Sequence, residues 1–140
     1  KCFCIGATIR CESYLQMPNC LHMLTDFTKA EHIYLACGYT DMRRSIDGLA
    51  AIVQQSFNLD PFGSSVFLFC GHRSDRIKAL YWDSDGFVLL YKRLERGRFQ
   101  WPRNEDEVRD LRPQQFRWLM EGLSIEQPKA HRPVTGISIA

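Results

Sequence analysis

Alternation of apolar and polar side chains is strongest in residues 77–102, IKALYWDSDGFVLLYKRLERGRFQWP. Two runs rich in Tyr, Trp, Phe and Val flank residues 83–86, Asp-Ser-Asp-Gly, and this arrangement predicts a β-hairpin. A loop made of the last two of these residues would place Trp82 opposite Leu89, whereas a loop of all four would place Trp82 opposite Phe87. In either register, successive side chains alternate between the two faces of the hairpin.

The two faces of the predicted hairpin differ in chemistry. One face combines aromatic and cationic side chains with leucines: Arg76, Lys78, Leu80, Trp82, Phe87, Leu89, Tyr91 and Arg93. The other face is more uniformly apolar: Ile77, Ala79, Tyr81, Val88 and Leu90. We expect the apolar face to pack in the core. The first face, called here the basic–aromatic face, is the best indication of function in the chain.

The rest of the pattern predicts an α+β domain. Apolar runs at residues 33–37 and 66–70 predict two more strands, and residues 99–101 predict a short final strand. The expected architecture is a small, mostly antiparallel sheet with a central β-hairpin and two helices packed on one face. The predicted organisation is a poorly structured or adventitious leader at 1–22, a single domain at 23–126 and a flexible C-terminal tail at 127–140.

Two helices follow from apolar residues at helical spacing. The first is predicted over residues 41–57, with Thr40 as N-cap and Asp41 in the first turn, where a negative charge suits the helix dipole. Gly48 lies inside this helix, and close packing against the sheet would explain a glycine there. The second helix begins near Pro113, because proline fits the first helical turn.

Composition narrows the class of protein without defining it. A net charge of +2 is too small to imply nucleic-acid binding, and 45% hydrophobic residues are ordinary for a globular domain. Apolar runs long enough for a membrane span, roughly 20 residues, are missing, so no membrane partner is expected. Cysteine spacing near the N-terminus does not match a zinc site, and a cytoplasmic location is expected. Cys37 and Cys70 end apolar runs and are expected to be buried.

Catalytic patterns are weak in this chain. The histidines have no metal or triad spacing, and a glycine-rich phosphate loop is missing. Asp75, Asp83 and Asp85 could hold Mg²⁺ for phosphodiester chemistry if the fold gathered them, although aspartate at a turn has a local explanation. We therefore expect a non-catalytic protein without cofactor or metal, with a metal-dependent nuclease-like enzyme as the alternative.

Three interpretations of the basic and aromatic residues stay open at this point. Cations can pair with phosphates while aromatic rings stack on bases. The residues predicted to bind nucleic acid are Arg43, Arg73, Arg76, Lys78, Trp82, Tyr91, Lys92, Arg93, Arg96 and Arg98. The same charges could instead protect an ordinary sheet edge from aggregation. A third possibility is a protein–protein module, since Trp82, Trp101 and Trp118 are of a type enriched at interface hot spots.

A longer resemblance shifts the balance among these interpretations. The chain resembles the small accessory proteins, called TnpB or the second open reading frame product, of bacterial IS-66 type insertion sequences. The matching segments are YLACG at 34–38, TDMR at 40–43, DGL at 47–49, DPF at 60–62, DRIK at 75–78, LYWD at 80–83, GF at 86–87, YKRLE at 91–95, GRF at 97–99 and WP at 101–102. The family usually has a more basic turn at 71–74 and a Ser or Thr cap where Arg112 stands.

The resemblance implies a part in transposition beside the element's separate, large transposase. It carries over no catalytic motif, because a DDE-type triad belongs to the larger protein. The expected partners are therefore DNA at the element ends and the transposase. We expect contact with one or both through the basic–aromatic face.

Overall fold

The computed structural model describes residues 2–5, 30–104 and 107–139. Its elements are β1 (Cys2–Ile5), β2 (His32–Ala36), α1 (Ile46–Ala51), β3 (Ser65–Cys70), β4 (Arg76–Asp83), β5 (Gly86–Arg93), β6 (Val108–Leu111) and α2 (Pro113–Met120). A π-helical segment, Ile52–Ser56, continues α1. The six strands form one sheet in the order β1-β5-β4-β3-β2-β6.

Strand directions confirm an α+β fold with a mostly antiparallel sheet. Only the β2–β3 pair is parallel among the described strands, and Ile33 lies opposite Val66 in it. Parallel neighbours need a crossover connection, which α1 and the π-helical segment supply. The carboxyl ends of β2 and β3 therefore lie at the same edge of the sheet.

The pairing of β4 with β5 shows which residues of the basic–aromatic face lie opposite one another. Trp82 lies opposite Phe87 and Asp83 opposite Gly86, so Ser84 and the residue after it connect the two strands. This is the pairing expected from the longer of the two loops considered above. Ser84 has a φ of 43°, in the left-handed region that tight turns between strands require.

Both faces of the sheet are covered, so the expectation that both helices pack on one face is wrong. Leu49 and Val53 lie on one face, in a cluster completed by Ala36, Phe67, Phe69, Leu80 and Leu89. Phe116 and Leu119 of α2 lie on the opposite face, in a cluster that includes Ile33, Leu35, Val66, Leu68, Ile77, Ala79 and Leu90. Residues 66–70 are buried throughout, as expected for a strand covered on both sides.

The first helix is shorter than predicted. It begins at Ile46, with Ser45 as N-cap, because Thr40 and Asp41 are used in the preceding loop. The backbone N–H of Thr40 donates to the carbonyl oxygen of residue 70, at 2.8 Å. The carboxylate of Asp41 accepts hydrogen bonds from the backbone N–H and the guanidinium of Arg43. The loop before α1 is thereby held against the end of β3.

The last strand lies at 108–111 and not at 99–101. Phe99 and Trp101 are buried, but without strand pairing. The indole Nε1–H of Trp101 donates to the carbonyl oxygen of Ala36 at 2.9 Å, which anchors this segment to the end of β2. Val108–Leu111 instead pairs with β2, with Ile33 opposite Leu111.

The terminal segments differ in how far the structure describes them. Part of the expected leader, Cys2–Ile5, forms an edge strand paired with β5. Residues 6–22 of that leader lie outside the described residues. The predicted second helix is present as Pro113–Met120, and residues 127–139 contain neither helix nor strand. No helix within the described ranges is long and apolar enough to cross a membrane.

The two cysteines that end apolar runs are buried, as expected. Cys37 is 7% exposed, and Cys70 is fully buried. Burial raises the pKa of the Cys70 thiol to about 12, and burial likewise raises the pKa of Cys37. Both thiols are therefore protonated at neutral pH and pack as small apolar side chains.

Candidate nucleic-acid interface

Three loops meet at the edge where the parallel strands end. Residues 37–45 follow β2, residues 71–75 follow β3, and residues 94–104 follow β5. The third loop is tied to the second because the N–H of Leu94 donates to the carbonyl of Asp75, and the N–H of Phe99 to that of residue 74, both at 2.7 Å. In open sheets with parallel strands, ligands bind beyond the carboxyl ends.

These loops and the adjacent strand ends carry a concentration of arginine. The set is called here the arginine surface: Arg43, Arg73, Arg76, Arg93, Arg96, Arg98 and Arg103. Arg76 and Arg93 belong to it because they lie opposite each other at the ends of β4 and β5. Cations directly opposite one another in a sheet repel, so nearby carboxylates or a bound anion would stabilise this pair.

Carboxylates neutralise part of the arginine surface. Glu95 contacts Arg93 at 2.9 Å, and its hydrogen bond raises the pKa of that guanidinium. Asp41 contacts Arg43 at 2.9 Å, and hydrogen bonding from Arg43 lowers the pKa of Asp41 to about 2. Four further exposed members form no ion pair among the residues that the structure describes: Arg73, Arg96, Arg98 and Arg103.

A cleft of about 350 Å³ opens between the first two loops of this edge. Its polar lining includes Thr40, Asp41, His72, Arg73, Asp75 and Arg76. The Oδ1 of Asp75 and the Nε of Arg76 lie 3.7 Å apart, and both atoms are buried without a hydrogen-bond partner in the described part of the chain. These two atoms are therefore close enough for an ion pair but are not hydrogen-bonded, and because both are buried neither is open to the cleft.

The middle of the basic–aromatic face is not exposed. Leu80 and Leu89 are fully buried beneath α1, which lies against β4 and β5. Lys78 is 6% exposed, and its Nζ donates to the carbonyl oxygen of Arg44 at 2.8 Å. Burial lowers the pKa of Lys78. Tyr91 lies opposite it with its ring centroid 6.0 Å from Nζ. Lys78 thus supports the loop before α1.

Aromatic residues gather at the other end of the same strands. The ring centroids of Phe62, Trp82 and Phe87 lie 5.0 to 5.2 Å apart, and we call this cluster the aromatic end. Phe62 is 52% exposed. Trp82 lies six positions after Arg76 along β4, a distance of about 20 Å at roughly 3.3 Å per residue. Rings and cations that the sequence placed on one face therefore form two separate regions.

Comparison with known proteins assigns the chain to a family. A family model described as IS66 Orf2 like protein matches residues 31–130. The chain belongs to the IS66 Orf2-like family. This match confirms the resemblance to IS-66 type accessory proteins and points to an accessory role in transposition.

Two relatives of this IS66 Orf2-like chain come from Sinorhizobium fredii. Uncharacterized protein y4hO is 35% identical over 97 residues, which are 69% of this chain and 84% of the relative. Uncharacterized protein y4jC is 35% identical over 102 residues, which are 73% of this chain and 86% of the relative. No solved structure matches.

The IS66 Orf2-like fold separates the carboxylates considered for a metal site. Asp75 precedes the first residue of β4, whereas Asp83 is the last residue of β4 and Asp85 lies in the turn beyond it. Among the residues that the structure describes, no group of three His, Cys, Asp or Glu side chains could hold a metal ion. The geometry brings the arginines together and leaves these aspartates apart.

Three residues of the site were missed from the sequence. The rings of Tyr39 and His72 meet edge-on with centroids 4.6 Å apart, and the guanidinium of Arg103 lies 5.3 Å from the Tyr39 ring centroid. Arg103 ends the basic stretch and could have been included on that ground. The contact between Tyr39 and His72 joins loops more than thirty residues apart, and local pattern carries no signal for it.

The turn at 71–74 and the start of α2 are the two places where the resemblance implied a departure from the family's pattern. Residues 71–74 contribute His72 and Arg73 to the cleft, and Arg76, the first residue of β4, supplies its other cation. At α2, the side-chain oxygen of Gln115 accepts a hydrogen bond from the N–H of Arg112 at 3.0 Å. This bond satisfies one terminal backbone donor without a Ser or Thr at the cap.

Proposed function

We propose that this protein is a non-catalytic accessory factor in the transposition of an insertion sequence, and that it binds DNA through the arginine surface. The observation that carries the proposal is the convergence of three hydrogen-bonded loops that present arginines at one edge of the sheet. Membership of the IS66 Orf2-like family supports the transposition setting.

Guanidinium groups suit the proposed role. Each can donate two parallel hydrogen bonds to one phosphate, and binding releases condensed counterions from the DNA. Arg73, Arg96 and Arg98 are exposed and not committed to ion pairs in the described chain, so phosphates would not have to displace a carboxylate from them. The surface supplies positive charge to the backbone and does not by itself read sequence.

The proposal narrows the set of residues predicted from the sequence. It keeps the predicted arginines: Arg43, Arg73, Arg76, Arg93, Arg96 and Arg98. It assigns Lys78 to the support of the loop before α1, because its ammonium is buried against a carbonyl. Trp82 belongs to the aromatic end, and Lys92 lies on the opposite face of the sheet beside Ile77.

The test is a binding titration with duplex DNA from the element ends, repeated over a range of salt concentrations. The double variant Arg96→Ala/Arg98→Ala should weaken binding and lower the slope of log affinity against log salt by about two, one for each phosphate contact. Arg117→Ala is the matched control, since it removes an exposed arginine from α2 on the other face. Equal losses in the double variant and the control, or salt-independent binding, would contradict the proposal.

A second candidate function, docking of the transposase, is favoured by the aromatic end. Phe62 is half exposed and packs edge-on against Trp82, and exposed aromatic side chains of this kind are enriched at interface hot spots. Co-purification with the transposase should then be lost in Phe62→Ala and retained in Arg96→Ala/Arg98→Ala. Retention in both variants would count against this surface.

A further inference from the structure

The cleft in the arginine surface has a composition that phosphate binding alone does not explain. Asp75 lines it beside Arg73 and Arg76, although a carboxylate repels phosphate at short range. Asp41 also lines it, but its two oxygens are already occupied by Arg43. Of the two carboxylates that line the cleft, Asp75 is therefore the one left to accept from a bound group.

The side chains of Asp75 and Arg76 form an ion pair without a hydrogen bond. Their side chains are 26% and 39% exposed, so each presents atoms to the cleft. The facing Oδ1 and Nε lie 3.7 Å apart, beyond hydrogen-bond distance, and are buried without a partner among the described residues. Such pairs are rare because a buried polar atom without a hydrogen bond is destabilising. A ligand contacting both side chains could draw them into hydrogen-bonding geometry.

We propose that this cleft takes one unpaired nucleotide of DNA whose base carries an amino group on its pairing edge. The inference rests on the proposed DNA binding and adds to it a site at the centre of the surface. Asp75 would accept from the amino group, as carboxylates do from cytosine N4. Arg73 and Arg76 would donate to the flanking phosphate, and the ring of His72, held edge-on by Tyr39, would face the base.

The size and charge of the cleft favour this ligand over others. About 350 Å³ falls within the range of single small-molecule sites and is too small for a base pair with its backbone. The surrounding arginines disfavour a cationic ligand such as a lysine side chain, although Asp75 alone would accept one. In a nucleotide, the phosphate would supply the anion for the arginines, and the amino group of the base would supply a neutral hydrogen-bond donor for Asp75.

The test compares duplexes that differ only in one unpaired nucleotide. A fluorescence-anisotropy titration of the full chain would use a duplex without a bulge and duplexes with a single unpaired cytosine, thymine or abasic site. We expect the unpaired cytosine to bind about tenfold more tightly than the abasic site, and thymine to resemble the abasic site. Asp75→Ala should remove the cytosine preference. Glu95→Ala, which removes a carboxylate outside the cleft, should retain it.

Each outcome separates the inference from the proposed function. Equal binding of all four duplexes, with steep salt dependence, would overturn the nucleotide site and leave the proposed DNA binding intact. No binding to any duplex would overturn both. A cytosine preference that survives in a folded Asp75→Ala protein would overturn the assignment of the acceptor. The comparison of ligands with the unaltered protein does not depend on the stability of any variant.

Discussion

The arginine surface and the aromatic end occupy opposite ends of the same pair of strands, and their construction differs. The aromatic end is formed by a tight two-residue connection and Phe62, so its chemistry comes mostly from the strands themselves. The arginine surface receives three longer loops, two of which follow parallel strands. Between the two regions, α1 covers the strands completely at Leu80 and Leu89. The two ends of the sheet thus differ because strand residues form most of the aromatic end and loop residues form most of the arginine surface.

The largest expected effect is on stability and concerns the part of the basic–aromatic face that α1 covers. Leu89→Ala should lower the free energy of unfolding by about 3 kcal/mol, because a fully buried leucine loses its contacts and leaves a cavity. Urea denaturation followed by circular dichroism measures this change. Phe62→Ala is the control, and a loss below 1 kcal/mol for Leu89→Ala would show that α1 does not cover the face.

The two regions can be separated directly by single substitutions at each end. Arg73→Ala should weaken DNA binding by about five- to tenfold at moderate salt, since one phosphate contact is lost, and should lower the salt slope by about one. Phe62→Ala should leave DNA affinity within about twofold, because Phe62 packs on Trp82, which lies about 20 Å from Arg76 along β4. Titrations at two or more salt concentrations distinguish these results. Comparable losses in both variants would remove the distinction between the regions.

Lys78 tests whether the centre of the face is structural. Burial lowers its pKa below the ordinary 10.5, so the unfolded chain binds more protons than the folded chain between those two values. The free energy of unfolding should therefore rise as pH increases through the folded-state pKa towards 10.5, and then level off with respect to this group. Lys78→Met should abolish this contribution and weaken DNA binding less than Arg73→Ala does, because the Lys78 ammonium is buried and acts only through the loop before α1. The measurement is urea denaturation at a series of alkaline pH values, alongside the DNA titration.

The smallest expected effect is a change in stability on substitution of Gly48, which lies in α1 between the two regions. A Cβ at this position would lie 3.4 Å from the Cβ of Arg44, an ordinary contact, and nothing in the sheet approaches it. The predicted close packing against the sheet is therefore wrong. Gly48→Ala should stabilise the protein by about 0.5 to 1 kcal/mol, because alanine favours the helix and restricts the unfolded chain. Thermal denaturation would show a higher midpoint, and destabilisation would contradict the fit.

Local patterns predicted some features well. Alternation assigned the side chains of β4 and β5 to the correct faces, because parity depends only on strand geometry. Helical spacing and Pro113 located α2. The apolar runs located β2 and β3, since buried strands covered on two sides need continuous apolar sequence.

The features that local sequence patterns did not predict depend on contacts between residues far apart in the chain. Coverage of Leu80 and Leu89 depends on where α1 packs, which the strand pattern does not specify. Burial of Lys78 depends on a carbonyl more than thirty residues away. β6 has a polar sequence, Val-Arg-Asp-Leu, and pairs at a sheet edge where alternation is weak. The cleft likewise depends on loops that meet only in the folded chain.

Hydrogen bonds from Leu94 and Phe99 limit the freedom of the loop that carries Arg96 and Arg98. Leu94 packs against the core, Phe99 is buried within it, and residues 95–98 connect these two anchors. Little backbone entropy would then be lost when DNA binds, unlike the binding of a basic segment that folds on contact. Calorimetry should accordingly show a small heat-capacity change on association, the signature of a rigid body meeting a charged polymer.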